Sequence, residues 1–168
     1  MTPMALPVLI LAFVTLQRLA ELVLARHNTA LLRGWGAYEV GARHYPLIVL
    51  LHAGWLAGLW YLAVGDVPAL PTDFGWLAVF AVLQLLRVWV IATLGPRWTT
   101  RIMILPGEPL VAGGPYRFVS HPNYCVVAAE ILVLPLVFGL VWYGVVFSVL
   151  NALVLAVRIH RENTALRL

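Results

Sequence analysis

The chain has 168 residues, of which 62% are hydrophobic and 11% are charged, and its mean hydropathy is +0.93. Because soluble domains carry about 25% charged residues, these values exclude an ordinary water-soluble globule and a disordered chain. Eleven arginines and no lysine stand against seven acidic residues, and the arginines lie singly between apolar stretches. That spacing favours a role in membrane topology over nucleic-acid binding. The single cysteine, Cys125, excludes an internal disulfide and a cysteine-based metal site.

Five apolar stretches are candidate membrane-spanning helices, because about 20 apolar residues cross a bilayer. They lie near residues 4–24, 45–64, 74–94, 122–138 and 139–157. The last two form one apolar stretch whose only charge is Glu130, and Pro135 and Gly139 near its middle predict a tight helical hairpin. The sequence therefore predicts a single domain over residues 1–168, an all-α integral membrane bundle of five transmembrane helices with a C-terminal hairpin.

The arginines predict the orientation of this bundle. Three lie between spans 1 and 2, three between spans 3 and 4, and three in the tail: Arg26, Arg33 and Arg43; Arg97, Arg101 and Arg117; Arg158, Arg161 and Arg167. The connection between spans 2 and 3 has no arginine, and its only charged residues are Asp66 and Asp73. The positive-inside rule then predicts a multi-pass protein of the cell (inner) membrane with its N-terminus outside and its C-terminus in the cytoplasm.

Polar side chains occur within the spans, where they are costly unless they face a partner, a cavity or water. They are Arg18 and Glu21 in span 1, His52 in span 2, Gln84 and Arg87 in span 3, and Glu130 in span 4. With the predicted topology, all lie in the cytoplasmic half of the bilayer. One interpretation is a polar cavity that opens to the cytoplasm. The other is structural pairing, of Arg18 with Glu21 along a helix or of Arg87 with Glu130 between helices.

Span 2 also contains Gly54-x-x-x-Gly58, a spacing that allows close helix packing. Because such patterns are common in glycine-rich membrane chains, we interpret it as packing within the protein rather than as a dimer contact. The sequence leaves the oligomeric state open.

The connection 95–121 is rich in proline and glycine, and a loop of this length in a compact protein is usually functional or disordered. Its aromatic residues Trp98, Tyr116 and Phe118 favour burial over disorder. The segment 109–124 reads PLVAGGPYRFVSHPNY. Its Gly-Gly-Pro predicts a turn, and Pro122 predicts a helix start with Ser120 or His121 as the cap. A helix start does not explain why a histidine, an asparagine and two tyrosines cluster there.

The tail reads VRIHRENTALRL and predicts a cytoplasmic juxtamembrane helix, in which Arg158 and Glu162 share one face. Considered alone, such a tail is typical of an amphipathic helix with a solvated ion pair. It also repeats an earlier segment. Arg26-His-Asn-Thr-Ala-Leu31 and Arg161-Glu-Asn-Thr-Ala-Leu166 both follow apolar spans. The sequence does not separate chance from a shared role for the two copies.

Together these segments resemble the isoprenylcysteine carboxyl methyltransferase family of integral membrane methyltransferases, bacterial branch. The family shows Gly-x-Tyr, then Arg-His-Pro-x-Tyr before a helical hairpin, then Arg-x-x-x-Glu after it. The matching residues are Gly114, Tyr116, His121-Pro122-Asn123-Tyr124, Arg158 and Glu162, and the resemblance covers Trp98 to the end. Ser120 stands where the family has arginine, so Arg117 or Arg161 would have to replace that side chain.

The resemblance implies S-adenosylmethionine as the cofactor, bound facing the cytosol between residues 95–124 and 156–168. It implies cofactor contacts from Glu108, Leu110, Val111, Gly114, Tyr116, His121, Pro122, Asn123, Tyr124 and Glu162. It implies that Arg158 lies where cofactor and substrate meet, and that Arg158 and Glu162 are the catalytic pair. The candidates for substrate contacts are Arg18, Glu21, His52, Arg87, Trp98, Glu130 and Arg158.

Methyl transfer is an in-line displacement on a sulfonium carbon by an anionic oxygen, and it depends on positioning and desolvation. It requires no metal, and no metal-ligand spacing appears in the chain. The resemblance implies a lipophilic acceptor at the cytoplasmic membrane face. That acceptor is a prenylcysteine-like carboxylate or, from the bacterial branch, the enol or phenol of a long-chain polyketide such as an alkylpyrone or alkylresorcinol.

Three other functions remain open at this point. The chain could be a non-enzymatic membrane scaffold or subunit, a phospholipid methyltransferase-like enzyme, or a membrane reductase that uses a nicotinamide cofactor. The last two share parts of the motif set. No glycine-rich dinucleotide fingerprint is visible for the reductase.

Overall fold

The computed structural model describes residues 5–65 and 70–166. The helices are α1 (Ala5–Gly34), α2 (Tyr45–Val64), α3 (Phe74–Leu94), α4 (Pro122–Val137) and α5 (Val141–Leu166). Two short strands, β1 (Tyr38–Val40) and β2 (Ile102–Ile104), and three 3-10 turns lie in the connections. Met4, which begins the first predicted span, Asp66 and Arg167 lie outside the described residues.

Four of the helices are long and apolar enough to cross a membrane, and α4 is a shorter apolar helix between α3 and α5. The predicted all-α membrane bundle is therefore confirmed. The bounds of α2 and α3 coincide with the predicted spans 45–64 and 74–94.

Two helices extend beyond their predicted spans. Helix α1 continues past residue 24 to Gly34, because polar residues such as Asn28 and Thr29 are buried against protein there. Helix α5 runs without a break to Leu166, so the predicted juxtamembrane helix is its last part and not a separate element. No glycine or proline lies between residues 145 and 166 to interrupt it.

The predicted hairpin joins α4 to α5 through a tight turn. Gly139 adopts the left-handed conformation with φ of 70°, which favours glycine, and the Leu140 N–H donates to the Pro135 carbonyl at 2.9 Å. Gly144 lets the two helices approach closely, since a Cβ there would lie 3.1 Å from the Leu132 carbonyl oxygen. Pro135 and Gly139 thus act where the sequence predicted.

Helix α4 is the most buried helix and lies at the centre of the core. The buried side chains of this core come from α1, α2, α3, α4 and the turn after α4, and helix α5 packs against them with Tyr143 and Phe147. They include Leu11, Val14, Trp55, Leu59, Phe80, Ile131, Leu134, Val137 and Phe138. The other helices expose large apolar side chains, such as Leu85 at 71% and Trp142 at 80%. An apolar exterior around a buried central helix is the arrangement expected of a bundle surrounded by lipid.

Only one glycine of Gly54-x-x-x-Gly58 serves helix packing. A Cβ at Gly58 would collide with the hydroxyl of Tyr143 on α5, which donates to the Trp55 carbonyl at 2.6 Å, whereas nothing lies within 4 Å of a Cβ at Gly54. Gly58 therefore makes room for an internal contact between α2 and α5.

Strands β1 and β2 form an antiparallel pair that the sequence did not predict, with Tyr38 opposite Ile104 and Val40 opposite Ile102. The pair ties the connection between α1 and α2 to the connection between α3 and α4. Both connections therefore lie at one end of the bundle, beside the end of α5.

Candidate active site

Two arginines and two glutamates from three helices form a charge cluster inside the bundle. Arg18 lies 2.8 Å from Glu21 and 2.9 Å from Glu130, while Arg87 contacts both glutamates. Gln84 donates to Glu130 at 2.8 Å. Both predicted pairings therefore exist, within one cluster. Its formal charges cancel, as a buried set of ions requires.

The charge cluster also lines a cavity, so ion pairing and a cavity occur together; that the cavity opens to the cytoplasm stays a prediction. This membrane cavity has a volume of about 350 Å³, and all seven side chains predicted to contact substrate line it: Arg18, Glu21, His52, Arg87, Trp98, Glu130 and Arg158. Its other walls are largely apolar and include Leu19, Leu22, Val49, Leu56 and Val127. A cavity with a charged region and otherwise apolar walls is suited to bind an amphiphilic molecule.

A second cavity of about 410 Å³, the loop cavity, lies between the Pro/Gly loop (residues 95–121) and the end of α5. Eight of the ten side chains predicted to contact the cofactor line it: Glu108, Leu110, Val111, Tyr116, His121, Asn123, Tyr124 and Glu162. Gly114 and Pro122 do not line it. Gly114, with φ of 53°, packs against Thr93 of α3, and Pro122 forms the first turn of α4.

Of two local predictions for this region, one is confirmed and one is wrong. His121 is the N-cap residue of α4, as predicted, although its side chain makes no capping hydrogen bond. Of the loop's aromatic residues, Trp98 is buried, whereas Phe118 is 76% exposed. Phe118 follows the last 3-10 turn of the loop, where its ring faces outward from the protein. Next to a bilayer, an outward aromatic ring carries no penalty.

The two copies of the repeated tail segment hold the two ends of the Pro/Gly loop. The Asn28 amide donates to the Trp98 carbonyl at 2.8 Å, at the start of the loop. At its other end, His121 Nε2 donates to Asn163 Oδ1 at 2.9 Å. The following threonines, Thr29 and Thr164, each donate to the carbonyl four residues earlier. The asparagines of the two copies therefore share a role, which is to anchor this loop to α1 and α5.

The two cavities share one wall. Five residues line both: Trp98, Thr99, Asn123, Tyr124 and Arg158. Arg158 is buried, and it donates from Nε to the Tyr124 hydroxyl at 2.8 Å and from Nη2 to the Thr100 carbonyl at 2.8 Å. The Tyr124 hydroxyl in turn donates to Glu162. Arg158 and Glu162 share a helix face as predicted, but Tyr124 joins them in place of a direct ion pair.

Arginines that sequence reasoning treated only as topology signals line the loop cavity. Arg97 contacts Glu108 at 2.5 Å and donates to the Pro109 carbonyl at 2.7 Å. Arg101 contacts Glu39 at 2.5 Å and lies 4.2 Å from the centre of the Tyr45 ring. Arg117 and Arg161 are absent from this lining. The arginines that line this cavity together with Ser120 are Arg97, Arg101 and Arg158, and not the two that the sequence suggested.

Residues 110–112 also line the loop cavity. Among the described residues, the N–H groups of Leu110, Val111 and Ala112 have no hydrogen-bond partner. Burial, together with the charge of Glu162, raises the pKa of the Tyr116 hydroxyl to about 12. Tyr116 is therefore a neutral donor at physiological pH.

Residues 76–168 match the isoprenylcysteine carboxyl methyltransferase (ICMT) family. The chain belongs to this family of membrane methyltransferases. It is 38% identical to the uncharacterized protein YpbQ of Bacillus subtilis (strain 168) over 165 residues. This alignment covers 95% of each of the two chains. It is 29% identical over 143 residues to an uncharacterized protein of Haemophilus influenzae, over 84% of this chain and 83% of that one. No solved structure matches the chain significantly.

Proposed function

We propose that the protein is an S-adenosylmethionine-dependent O-methyltransferase that acts on a lipophilic acceptor with an anionic oxygen. The observation that carries the proposal is the shared wall. The loop cavity and the largely apolar membrane cavity are both lined by Arg158, Tyr124, Trp98, Asn123 and Thr99. A methyl group must pass from a polar donor to a lipophilic acceptor, and at this wall molecules bound in the two cavities would lie closest to each other.

The loop cavity fits S-adenosylmethionine in size and in chemistry. Its volume of about 410 Å³ lies within the range of about 300–1,000 Å³ typical of ligand pockets. The unpartnered N–H groups of residues 110–112 suit adenine or ribose atoms, and Glu162 suits the ribose hydroxyls or the ammonium group. Arg97 and Arg101 can hold the carboxylate in place of the arginine that Ser120 replaces. When bound, S-adenosylmethionine supplies an electrophilic methyl group on a sulfonium.

Arg158 is suited to hold the acceptor oxygen. A guanidinium has five N–H donors, and two of those of Arg158 are used by Tyr124 and the Thr100 carbonyl. The remaining donors are available at the shared wall. The apolar walls of the membrane cavity accommodate the acceptor's tail and exclude water from its oxygen, which makes that oxygen a better nucleophile.

The proposal includes the orientation of the protein in the cell membrane. S-adenosylmethionine is cytosolic, so the end of the bundle with the loop cavity faces the cytoplasm and the N-terminus lies outside. The arginines of the two connections at this end agree with that orientation.

The test is calorimetric titration of the full chain in detergent with S-adenosylhomocysteine, the expected product. We expect saturable binding that weakens about 10- to 100-fold in Glu162→Ala and His121→Ala, since a hydrogen bond to a charged group contributes about 1.5–3 kcal/mol. Arg161→Ala and His160→Ala are matched controls, because both side chains are exposed on the same helix and neither lines a cavity. Their affinity should equal that of the wild type.

Two outcomes would contradict the proposal. A folded wild-type protein that does not bind S-adenosylhomocysteine would favour a scaffold. A thermal shift with NADPH but not with S-adenosylmethionine would favour a reductase.

A further inference from the structure

Both carboxylates of the membrane cavity, Glu21 and Glu130, are ion-paired with arginines. Glu130 accepts from Gln84 and the Arg87 Nε on one oxygen, and from Arg18 and Arg87 on the other. Glu21 accepts from Gln17 at 3.1 Å on one oxygen and from both arginines on the other. Glu130 thus accepts four hydrogen bonds and Glu21 three, and both are ion-paired with Arg18 and Arg87. Protonation of either glutamate would break these ion pairs, so neither is well suited to take a proton from a bound molecule.

The tyrosines of the same cavity are engaged as well. The Tyr45 hydroxyl bonds to Thr100 Oγ1 at 3.0 Å, and the Tyr124 hydroxyl lies between Arg158 and Glu162. Among the ionisable groups that line the membrane cavity in the described chain, this leaves His52 as the one base without a charged partner.

The ring of His52 is fixed in a useful orientation. Its Nδ1 lies 2.7 Å from the carbonyl oxygen of Ile48, one helical turn earlier. A carbonyl only accepts, so Nδ1 must carry the hydrogen and the lone pair must lie on Nε2. Nε2 has no hydrogen-bond partner among the residues that the structure describes, and it is not among the fully enclosed polar atoms. Nε2 is therefore partly accessible, on a residue that lines the membrane cavity.

We propose that His52 is a catalytic residue that accepts the proton of a hydroxyl acceptor bound in the membrane cavity. The inference rests on the proposed function and goes further, since it assigns the acceptor to the enols and phenols rather than to the carboxylates. A carboxylate is already ionised at neutral pH and gives a base nothing to do.

The step balances. The acceptor's O–H bond breaks, the proton binds the Nε2 lone pair to give an imidazolium, and the oxygen keeps its electron pair. That pair forms the new O–CH₃ bond, while the pair of the S–CH₃ bond of the methyl donor stays on sulfur. The sulfonium charge thus becomes the imidazolium charge, and the proton leaves later to water.

The charges around His52 suit this exchange. Arg18 of α1 and Arg87 of α3 face it, as does Glu130 of α4. The two arginines oppose a positive charge on the ring, and Glu130 favours one. Glu130 faces the imidazolium once it forms. The charge cluster therefore places both positive and negative side chains around His52, which itself forms no ion pair.

The first experiment reads the ring directly. The full chain is labelled with ¹⁵N-histidine, and its imidazole nitrogens are observed by NMR in detergent at neutral pH, with His52→Gln assigning the signal. We expect the tautomer with a protonated Nδ1 and a bare Nε2. The opposite tautomer would overturn the proposal, because Nε2 would then be a donor.

The second experiment uses two acceptors that differ in acidity, 4-nonylphenol and 2-nitro-4-nonylphenol. At pH 9 the first is mainly a neutral hydroxyl, as its resemblance to the tyrosine side chain implies, and the second is ionised. His52→Gln keeps a donor for the Ile48 carbonyl but has no base. We expect it to lower kcat about 10²- to 10⁴-fold with 4-nonylphenol, and less than threefold with the nitrophenolate. His160→Gln, exposed on α5, is the control and should match the wild type.

The outcomes separate this inference from the proposed function. Equal losses of kcat with the two phenols would overturn the role of His52 and leave it a structural residue. Binding of S-adenosylhomocysteine without methylation of either phenol would overturn the assignment to hydroxyl acceptors. Absence of S-adenosylhomocysteine binding in the wild type would instead overturn the proposed function itself.

Discussion

Replacing Glu130 by glutamine is expected to destabilise the protein strongly. Glu130 is 2% exposed and its two oxygens accept four hydrogen bonds, three of them from arginines. Glu130→Gln keeps the shape but leaves Arg18 and Arg87 opposite only Glu21. Removing one partner of a buried ion pair costs about 3–5 kcal/mol. At about 2–4 °C per kcal/mol for a chain of this size, Tm should fall by about 6–20 °C.

The assay is thermal unfolding in detergent, followed by tryptophan fluorescence and by size-exclusion chromatography after heating. Glu108→Gln is the matched control, because Glu108 is also paired with an arginine but its side chain is 49% exposed. Exposed pairs contribute about 0–1 kcal/mol, so its Tm should change little. The double variant Arg87→Gln/Glu130→Gln restores the balance of charge and should recover part of the lost stability.

Two results would refute this reasoning. A Tm for Glu130→Gln within 2 °C of the Glu108→Gln value would show that the charge cluster does not stabilise the bundle. A double variant whose loss equals the sum of the two single losses would show that Arg87 and Glu130 do not act as a pair.

Three further predictions concern packing, pH and the loop. Gly58→Val should lower the free energy of unfolding by about 1–3 kcal/mol, because the new side chain meets Tyr143, whereas Gly54→Val should have little effect; equal Tm values would contradict this. Because the pKa of Tyr116 is raised from 10.0 to about 12, the unfolded chain loses this proton first. Stability should therefore fall as pH rises from about 10 to about 12, and fall less in Tyr116→Phe. Asn28→Ala frees the start of the Pro/Gly loop and should speed its cleavage by trypsin, and an unchanged rate would show that the anchor is dispensable.

The apolar spans could be predicted from the sequence, whereas the polar ends of α1 and α5, which continue beyond those spans, could not. Helices α2 and α3 are apolar on every side, because lipid replaces water along their whole length. The ends of the apolar stretch in the sequence are therefore also the ends of the helix. The last part of α1 carries Asn28 and Thr29, whose hydrogen-bond partners lie within protein, and hydropathy does not record partners. Strands of three residues are too short to leave an alternating pattern.

The candidate site divides in the same way. The membrane cavity could be predicted because a charge within an apolar stretch, such as Glu130 or Arg87, is costly enough to require a reason. The loop cavity was predicted through the family resemblance that the residues between Gly114 and Tyr124, with Arg158 and Glu162, carry. Arg97 and Arg101 were missed, since arginines beside a span have a sufficient explanation in topology and only the fold shows that they face inward.

The shortness of α4 has a consequence for how the protein is made. At 16 residues α4 is about 24 Å long, less than the hydrocarbon thickness of about 30 Å, and it carries Glu130, so it is a poor candidate for insertion by itself. The arginines that neutralise Glu130 are on α1 and α3, which leave the ribosome earlier. We therefore expect α4 and α5 to enter the membrane together, as one hairpin, into a bundle that already holds Arg18 and Arg87. Because synthesis proceeds from the N-terminus, Glu130 enters the membrane only after Arg18 and Arg87, which neutralise it, are already there.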